Sequence, residues 1–179
     1  MKIAFVGPPA VGKDVVSDFI AKKYSLTHIS SGDLVREYVI KNNLGDLSRE
    51  NLGIVANQMR KELGADILVR TAIERAPDNL VLTGLRAIDE VEAFKKFGGK
   101  VISITAPLRK RFELAIARMR IDDNVPYDEF KRIEEREFKN MDRNSQNVQK
   151  VVEMADYEIV NDGTLDDLFE KSLNVILKL

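Results

Sequence analysis

The chain has 179 residues, 44% of them hydrophobic and 32% charged, and a formal net charge of −1. This length suits a single domain with a substantial core, and the near-neutral charge argues against nucleic acid or an anionic membrane as a partner. The absence of cysteine and the presence of one histidine exclude disulfides, thiolate zinc sites and multi-histidine metal sites. No apolar run is long enough to cross a bilayer and no signal-peptide pattern precedes the first strand. We therefore expect a cytoplasmic protein, whose oligomeric state the sequence leaves open.

The chain begins with a pattern of strand, glycine-containing loop and helix. Residues 2–6 form an apolar run typical of a buried parallel strand, and helical spacing predicts a helix over residues 13–24. The loop between them reads, in order, Gly7, Pro8, Pro9, Ala10, Val11, Gly12 and Lys13. A phosphate-binding loop requires this arrangement, because inward-facing backbone N–H groups, the positive end of the helix dipole and the lysine ammonium all attract phosphate. The loop therefore predicts a nucleotide-phosphate site.

Strands and helices continue to alternate along the rest of the chain. Further strands are predicted at residues 26–30, 80–83, 100–105 and 157–160. Helices are predicted at residues 34–42, 48–63, 67–76, 88–97, 107–120 and 165–179, with two more inside the polar segment 121–149. Helical spacing assigns Val15 and Phe97, among others, to buried faces. Strands that alternate with helices predict an α/β protein whose parallel sheet is covered on both faces.

Glycine, polar and basic residues follow several of the predicted strands. They lie in the stretches 7–13, 30–33, 83–86, 107–111 and 161–164. Ligands of parallel sheets bind outside the carboxyl ends of the strands, along one edge of the sheet. We therefore expect these five stretches to converge on one cleft.

Two further motifs make a family recognisable. Residues 28–36 read HISSGDLVR and residues 81–86 read VLTGLR. Together with the loop, they resemble the P-loop nucleoside monophosphate kinases, especially adenylate kinase and the archaeal proteins described as adenylate-kinase-related. The resemblance implies a three-layer P-loop NTPase fold, with a five-stranded parallel sheet of order 2-3-1-4-5 and helices on both faces. It also implies one kinase domain over residues 1–179, with an acceptor-binding helical insertion at about 34–76 and a short helical lid at about 119–150.

The resemblance assigns roles on the side of the phosphate acceptor. Ser31 would contact the nucleoside of the monophosphate, Arg36 would hold its phosphate, and Arg86 would be the second clamp on that phosphate. Asp33 would act in catalysis by ordering magnesium-bound waters. The alternative for both Ser31 and Asp33 is a helix cap, which these residue types commonly provide.

On the donor side, the resemblance implies ATP bound by the loop, the first helical turn and the turn after the last strand. The implied ATP-binding residues are Gly7, Pro8, Pro9, Ala10, Val11, Gly12, Lys13, Asp14, Val15, Asn161 and Gly163. Lys13 is also a catalytic candidate, as are Arg118 and Arg120, which resemble the arginines of the lid. Arg132 and Arg136 stand behind them, and a solvated helix face is the alternative for all four arginines.

Magnesium is the cofactor implied for this chemistry. Asp14 stands where many such loops have Ser or Thr, and Thr83 stands where the family has an acidic residue that contacts magnesium through water. A carboxylate at Asp14 can reach the ion or its waters, so we expect Asp14 and Asp33 to contact magnesium, through water. The alternative for Asp14 is a first-turn residue favoured by the helix dipole.

Several other polar residues carry structural interpretations. His28 is interpreted as a structural residue. Arg60 and Arg70 lie in the predicted acceptor-side helices, where they would either contact substrate or face solvent. Glu90 and Glu92 are expected on an exposed helix face, and the alternative for either is an approach to the acceptor base.

These residues predict ATP- and magnesium-dependent phosphoryl transfer to a nucleoside monophosphate resembling AMP. Such an acceptor is already ionised, so the reaction needs aligned charges more than a base. Two alternatives remain. One is a kinase of a nucleotide-containing metabolite such as dephospho-coenzyme A, which would need Asp33 as a base. The other is a weakly hydrolysing, nucleotide-binding regulatory protein, which Asp14 and Thr83 favour.

Overall fold

A computed structural model of the protein describes residues 1–117, 126–138 and 147–179. Within these ranges the chain forms five strands, namely β1 (Lys2–Val6), β2 (Thr27–Ser30), β3 (Leu80–Thr83), β4 (Lys100–Thr105) and β5 (Tyr157–Val160). All neighbouring strands are parallel, and they make one sheet in the order β2-β3-β1-β4-β5. This confirms the predicted sheet order of 2-3-1-4-5.

Helices occupy most of the remaining described residues. They are α1 (Lys13–Tyr24), α2 (Ser31–Asn42), α3 (Arg49–Leu63), α4 (Ile67–Arg75), α5 (Ile88–Lys96), α6 (Leu108–Ala117), α7 (Tyr127–Phe138), α8 (Val148–Glu153) and α9 (Leu165–Ile176). The second helix begins at Ser31, three residues before its predicted start, because it follows β2 without an intervening loop. None of the described helices combines the length and the apolar character that a membrane crossing requires.

The sheet is the centre of the core and is buried on both faces. Leu80 and Leu82 of β3 point to one face, where α2, α3, α4, α5 and α8 supply the other apolar side chains. Val81 points to the opposite face, which α1 and α9 cover. Successive side chains of a strand alternate between faces, so a continuous apolar run is what a strand covered on both sides needs.

The structure corrects two core assignments made from helical spacing. Val15 is 46% exposed, because the buried stripe of α1 runs through Val16 and Ile20 and leaves the preceding residue outside it. Phe97 is 41% exposed, because α5 ends at the residue before it and the chain turns away at Gly98. Both are single-position errors at the edge of an apolar stripe.

The register of the strands brings the predicted site stretches to one edge of the sheet. Thr83 of β3 pairs with Phe5 of β1 on one side and with Ser30 of β2 on the other. On the far half of the sheet, Val6 pairs with Ser103 of β4. The carboxyl ends of neighbouring strands therefore lie side by side, as the convergence on one cleft requires.

Candidate functional site

The loop between β1 and α1 has a backbone that only certain residues can adopt. Gly7 has a φ of 139°, and a Cβ atom there would stand 2.1 Å from the carbonyl oxygen of Ile104. Gly12, with a φ of 96°, is the N-cap of α1 and has no side chain to accept hydrogen bonds from the first helical turn. The amides that open α1 are thereby left for an anion, which the helix dipole also attracts.

Lys13 reaches back across this loop. Its Nζ atom donates to the carbonyl oxygens of Gly7 and Pro8, at 2.9 and 2.7 Å. The ammonium is partly buried there, close to the two residues that begin the loop. A positive charge held by the loop's own carbonyls is positioned to meet the phosphates of a nucleotide.

Asn161, in the turn after β5, stabilises the loop by a hydrogen bond to its main chain. Its side chain is buried, and its Nδ2 atom donates to the carbonyl oxygen of Val11 at 2.9 Å. A Cβ atom at Gly12 would stand 2.9 Å from Leu168 and 3.3 Å from the Asn161 amide. The turn therefore fixes the loop's main chain, and Gly163 within the same turn is exposed and accepts a hydrogen bond from Lys110.

The rest of that turn is ordered by a capping box at the start of α9. The Asp167 carboxylate accepts from the backbone N–H and the hydroxyl of Thr164, each at 2.7 Å, and these bonds lower the pKa of Asp167 below its ordinary value. Lys171 donates to Asp162 at 2.5 Å and lowers the pKa of that carboxyl as well.

On the side of the sheet that carries β2 and β3, a hydrogen bond joins α2 to the turn after β3. The Ser31 hydroxyl is buried and donates to the carbonyl oxygen of Gly84 at 2.7 Å. Five residues further along α2, Arg36 pairs with Asp33, and both side chains are exposed, with 2.5 Å between Nη1 and Oδ1. The predicted acceptor residues Ser31 and Arg36 thus share the first turns of one helix with Asp33, the predicted catalytic and magnesium residue, next to the turn that leads to Arg86.

Arg86 is half-buried, and its backbone N–H donates to Glu90, whose predicted exposed position is wrong. Glu90 is 0% exposed rather than on a solvated face. Its Oε2 atom accepts from the backbone N–H groups of Arg86 and Ala87, at 2.8 and 3.1 Å. Its Oε1 atom accepts from the guanidinium of Arg60 on α3, at 2.8 Å.

Arg60 is correspondingly shielded, with its side chain 9% exposed. It connects α3 to the N-terminus of α5, whereas Arg70 pairs with Asp66 at the start of α4. The signal that could have located Glu90 is its place three residues after the N-cap Ala87, where a glutamate commonly binds the N-cap amide.

Thr83 is the last residue of β3 and is buried. Its hydroxyl lies 3.1 Å from Nε2 of His28, and Nδ1 of the same ring lies 2.7 Å from Oδ1 of Asp18 on α1. The interpretation of His28 as structural fits these two contacts. They also connect exposed Asp18, through His28, to Thr83, the position at which the related kinases have an acidic residue.

The described carboxylates do not build a metal site of their own. Asp14 is exposed in the first turn of α1, and Asp33 is paired with Arg36. Within the described ranges, no three His, Asp or Glu side chains group closely enough to hold an ion. A magnesium ion here would take most of its ligands from nucleotide phosphates and water, as it does in many kinases.

The predicted lid falls partly outside the described residues, and Arg118 and Arg120 both lie there. Arg132 is exposed on α7, and the side chain of Arg136 is also outside the described part. The helices that flank this segment are anchored to the loop, since Phe112 of α6, Phe130 of α7 and Ala10 form one apolar cluster. The rings of Phe112 and Phe130 meet edge to face at 5.6 Å.

A parallel sheet in this order, with a glycine loop and a lysine joining β1 to α1, defines a P-loop protein with a kinase-like fold. A family model described as AAA domain matches residues 6–124. A UPF0200 protein of Thermococcus onnurineus is 37% identical to this chain over 100% of it and 98% of its own length. A UPF0200 protein of Methanosarcina acetivorans is 36% identical over 98% of this chain and 92% of its own. The chain therefore belongs to the UPF0200 family and contains the AAA domain.

One relative is longer than this chain. A UPF0200/UPF0201 protein of Archaeoglobus fulgidus is 36% identical over 99% of this chain, which spans 55% of that protein's length. The shared part is therefore present in that relative beside a further region.

Solved structures confirm the fold at low sequence identity. The shikimate kinase of Bacteroides thetaiotaomicron has a TM-score of 0.68 at 15% identity and covers 100% of this chain and 99% of its own. The dephospho-CoA kinase of Campylobacter jejuni has a TM-score of 0.56 at 17% identity, over 99% and 97%. These structures support a kinase-like P-loop fold and do not single out adenylate kinase, so the acceptor remains a prediction.

Proposed function

We propose that the protein is an ATP- and magnesium-dependent phosphotransferase whose acceptor is a nucleoside monophosphate resembling AMP. The observation that carries the proposal is the hydrogen bond from Ser31 to the carbonyl oxygen of Gly84. It joins the helix that bears Arg36 to the turn that bears Arg86, whose two guanidinium groups would form the acceptor wall of the proposed site. The donor nucleotide would lie on the loop that carries Lys13.

The chemistry of phosphoryl transfer suits these residues. A phosphate acceptor is already ionised, so the protein has to align two polyanions and neutralise charge on the phosphoryl group that moves. The guanidinium of an arginine binds two phosphate oxygens at once, which makes Arg36 and Arg86 better acceptor clamps than lysines would be. Lys13 and the amides of the loop supply the positive field around the donor phosphates. Magnesium bound to those phosphates would neutralise further charge, with Asp14 and Asp33 near its waters.

The fold shared with a dephospho-CoA kinase favours a second candidate, a kinase of a nucleotide-containing metabolite such as dephospho-coenzyme A. Its acceptor is a sugar hydroxyl, so the reaction needs a base. Asp33 would have to serve, and its Oδ1 atom is paired with Arg36. A phosphate acceptor needs no base, which is why we place it first.

The deciding experiment incubates the protein with ATP and magnesium and a panel of acceptors, and identifies the phosphorylated product. Nucleoside monophosphates and dephospho-coenzyme A belong in the same panel. We expect a nucleoside diphosphate as the product. Phosphorylated dephospho-coenzyme A would select the second candidate, and ATP binding without any phosphorylated acceptor would favour a regulatory nucleotide-binding protein.

The variant Lys13→Ala tests the donor side. We expect it to lower the rate of transfer by about 100- to 1000-fold, because one strong electrostatic contact to the reacting phosphates is lost. Lys150→Ala is a matched control, since Lys150 is an exposed lysine whose ammonium pairs with Glu153 on α8. Transfer that is equally fast in Lys13→Ala and the wild type would contradict the proposal.

A further inference from the structure

The polar chain of Asp18, His28 and Thr83 runs from α1 through β2 to the end of β3, and it has no part in the function proposed so far. We infer that Asp18 and His28 are positioning residues, which fix the Thr83 hydroxyl as a hydrogen-bond acceptor for the water shell of nucleotide-bound magnesium. The inference rests on the proposed function, because it needs a magnesium nucleotide on the loop. It accounts for how Thr83 can stand where the related kinases have an acidic residue.

The contact with Asp18 determines which nitrogen of the His28 imidazole carries a proton. An ionised carboxylate can only accept hydrogen bonds, and Oδ1 of Asp18 lies 2.7 Å from Nδ1 of the imidazole. Nδ1 must therefore carry a proton. In the neutral ring, the proton on Nδ1 leaves a lone pair on Nε2.

The imidazole of His28 in turn determines the direction of its hydrogen bond with the Thr83 hydroxyl. Nε2 of His28 lies 3.1 Å from Oγ1 of Thr83, and a nitrogen that bears a lone pair can only accept. While the ring is neutral, Thr83 therefore donates its single proton to it. Only lone pairs remain on Oγ1, so any further hydrogen bond of this hydroxyl has to be accepted from another donor.

The Thr83 hydroxyl stands at the end of its strand, next to the strand that leads into the loop. Thr83 ends β3 and pairs in register with Phe5, two residues before the loop begins at Gly7. A carboxylate in that position would also be restricted to accepting. Like an acidic residue, Thr83 can then only accept a hydrogen bond at this position, but it carries no negative charge. Water bound to a metal ion donates hydrogen bonds, so it is a suitable partner for this hydroxyl.

The tautomer can be measured directly, because His28 is the only histidine of the chain. Nitrogen-15 NMR of the imidazole at mildly alkaline pH should show a protonated Nδ1 and an unprotonated Nε2. In Asp18→Ala the preference should be lost. Asp18 is a suitable site for substitution because its side chain is 73% exposed, so the fold should survive. A ring protonated on Nε2 in the wild type would overturn the inference.

Magnesium affinity gives the second readout, measured by calorimetry on the complex of the protein with ADP. We expect Asp18→Ala and Thr83→Val each to weaken magnesium binding by about 2- to 12-fold, the range that corresponds to one hydrogen bond. The double variant should be no weaker than Thr83→Val, because both changes remove the same contact. Thr83→Ser keeps the hydroxyl and should retain most of the affinity.

Glu153→Ala is the matched control, since it removes another exposed carboxylate and its ion pair with Lys150. It should leave both the tautomer and the magnesium affinity unchanged. Additive effects of Asp18→Ala and Thr83→Val, or a wild-type affinity in Thr83→Val, would refute the inference. If magnesium binding depends on Thr83 while no acceptor is phosphorylated, the inference stands and the proposed kinase function fails. A protein that does not bind ADP would contradict both.

Discussion

Glu90 is a buried carboxylate whose two oxygens serve different partners. One oxygen accepts from Arg60 on α3, and the other accepts from the amides that precede α5. A buried charge is tolerated only when its partners are in place, because desolvation of an unpaired ion costs several kcal/mol. The Arg60–Glu90 pair therefore makes the acceptor-side helices and the backbone of Arg86 depend on each other.

Truncating either partner should destabilise the protein strongly. We expect Arg60→Ala and Glu90→Ala to lower the free energy of unfolding by about 3–5 kcal/mol each, since each leaves the other charge buried alone. Denaturant unfolding measures this. The control is Arg75→Ala, because Arg75 and Glu37 form an exposed, solvent-screened pair whose loss should change stability far less. Equal losses in the exposed and the buried pair would contradict this account of Glu90.

Asp156 is a residue whose contribution should depend on pH. Burial raises the pKa of its carboxyl, but hydrogen bonds from Lys95 and from the backbone N–H of Val101, both 2.8 Å, outweigh burial and leave the pKa below its ordinary value. A carboxyl with a lowered pKa stabilises the fold above its unfolded-state pKa near ~3.9, and that stability is lost as pH falls through the folded-state value.

We therefore expect Asp156→Asn to destabilise the protein by about 1–2 kcal/mol near neutral pH. The difference from the wild type should shrink as the pH falls below about 4. Urea unfolding at a series of pH values would measure it. Asp78→Asn, on the exposed turn before β3, controls for the loss of a charge alone. A difference for Asp156→Asn that does not change with pH would show that its ionisation is not involved.

At the scale of elements, the loop is held in place by segments far away in the sequence. The turn between β5 and α9 reaches it through the Asn161 amide, which donates to the carbonyl oxygen of Val11. The helices α6 and α7 reach it through the apolar cluster around Ala10. The loop proposed to bind phosphate is thus supported from two sides, so its shape should not depend on a nucleotide.

Asn161→Ala tests this support. Removal of the amide leaves the buried Val11 carbonyl without its partner, so we expect a loss of about 1–3 kcal/mol in the free energy of unfolding and a weaker affinity for ATP. Calorimetry of ATP binding and denaturant unfolding measure the two effects. Asn42→Ala is a control, since Asn42 makes a comparable bond to the carbonyl of Tyr38 on the surface. Unchanged ATP affinity in Asn161→Ala would mean that the loop keeps its shape unaided.

At the scale of the molecule, the proposed donor loop and acceptor wall predict simultaneous binding of two nucleotides. A kinase with a donor loop and a separate acceptor wall should bind ATP and AMP together. A compound that joins two adenosines through a polyphosphate should therefore bind more tightly than either nucleotide, because its second half binds without a further loss of translational freedom. Calorimetric titration would show this. Competition between ATP and AMP for one site would contradict the two-substrate cleft.

Much of this arrangement could be predicted from the sequence. The bounds of β3, β4 and β5 agree with their predictions, because buried parallel strands appear as short apolar runs. The order of the strands came with the family resemblance rather than from periodicity. The capping position of Glu90, three residues after Ala87, can be read from the sequence, but its full burial cannot, since its partner Arg60 lies thirty residues away and a charged residue in a helix normally faces solvent.

The position of Lys13 has a consequence for ligand selectivity. Its ammonium already satisfies the carbonyl oxygens of Gly7 and Pro8, so an incoming ligand must replace bonds that the loop makes with itself. An ammonium binds ionised phosphate oxygens more strongly than neutral carbonyl oxygens. A ligand therefore has to offer an anionic group if it is to draw Lys13 away from the loop. We expect the loop to bind di- and triphosphates and not nucleosides, which carry no charge.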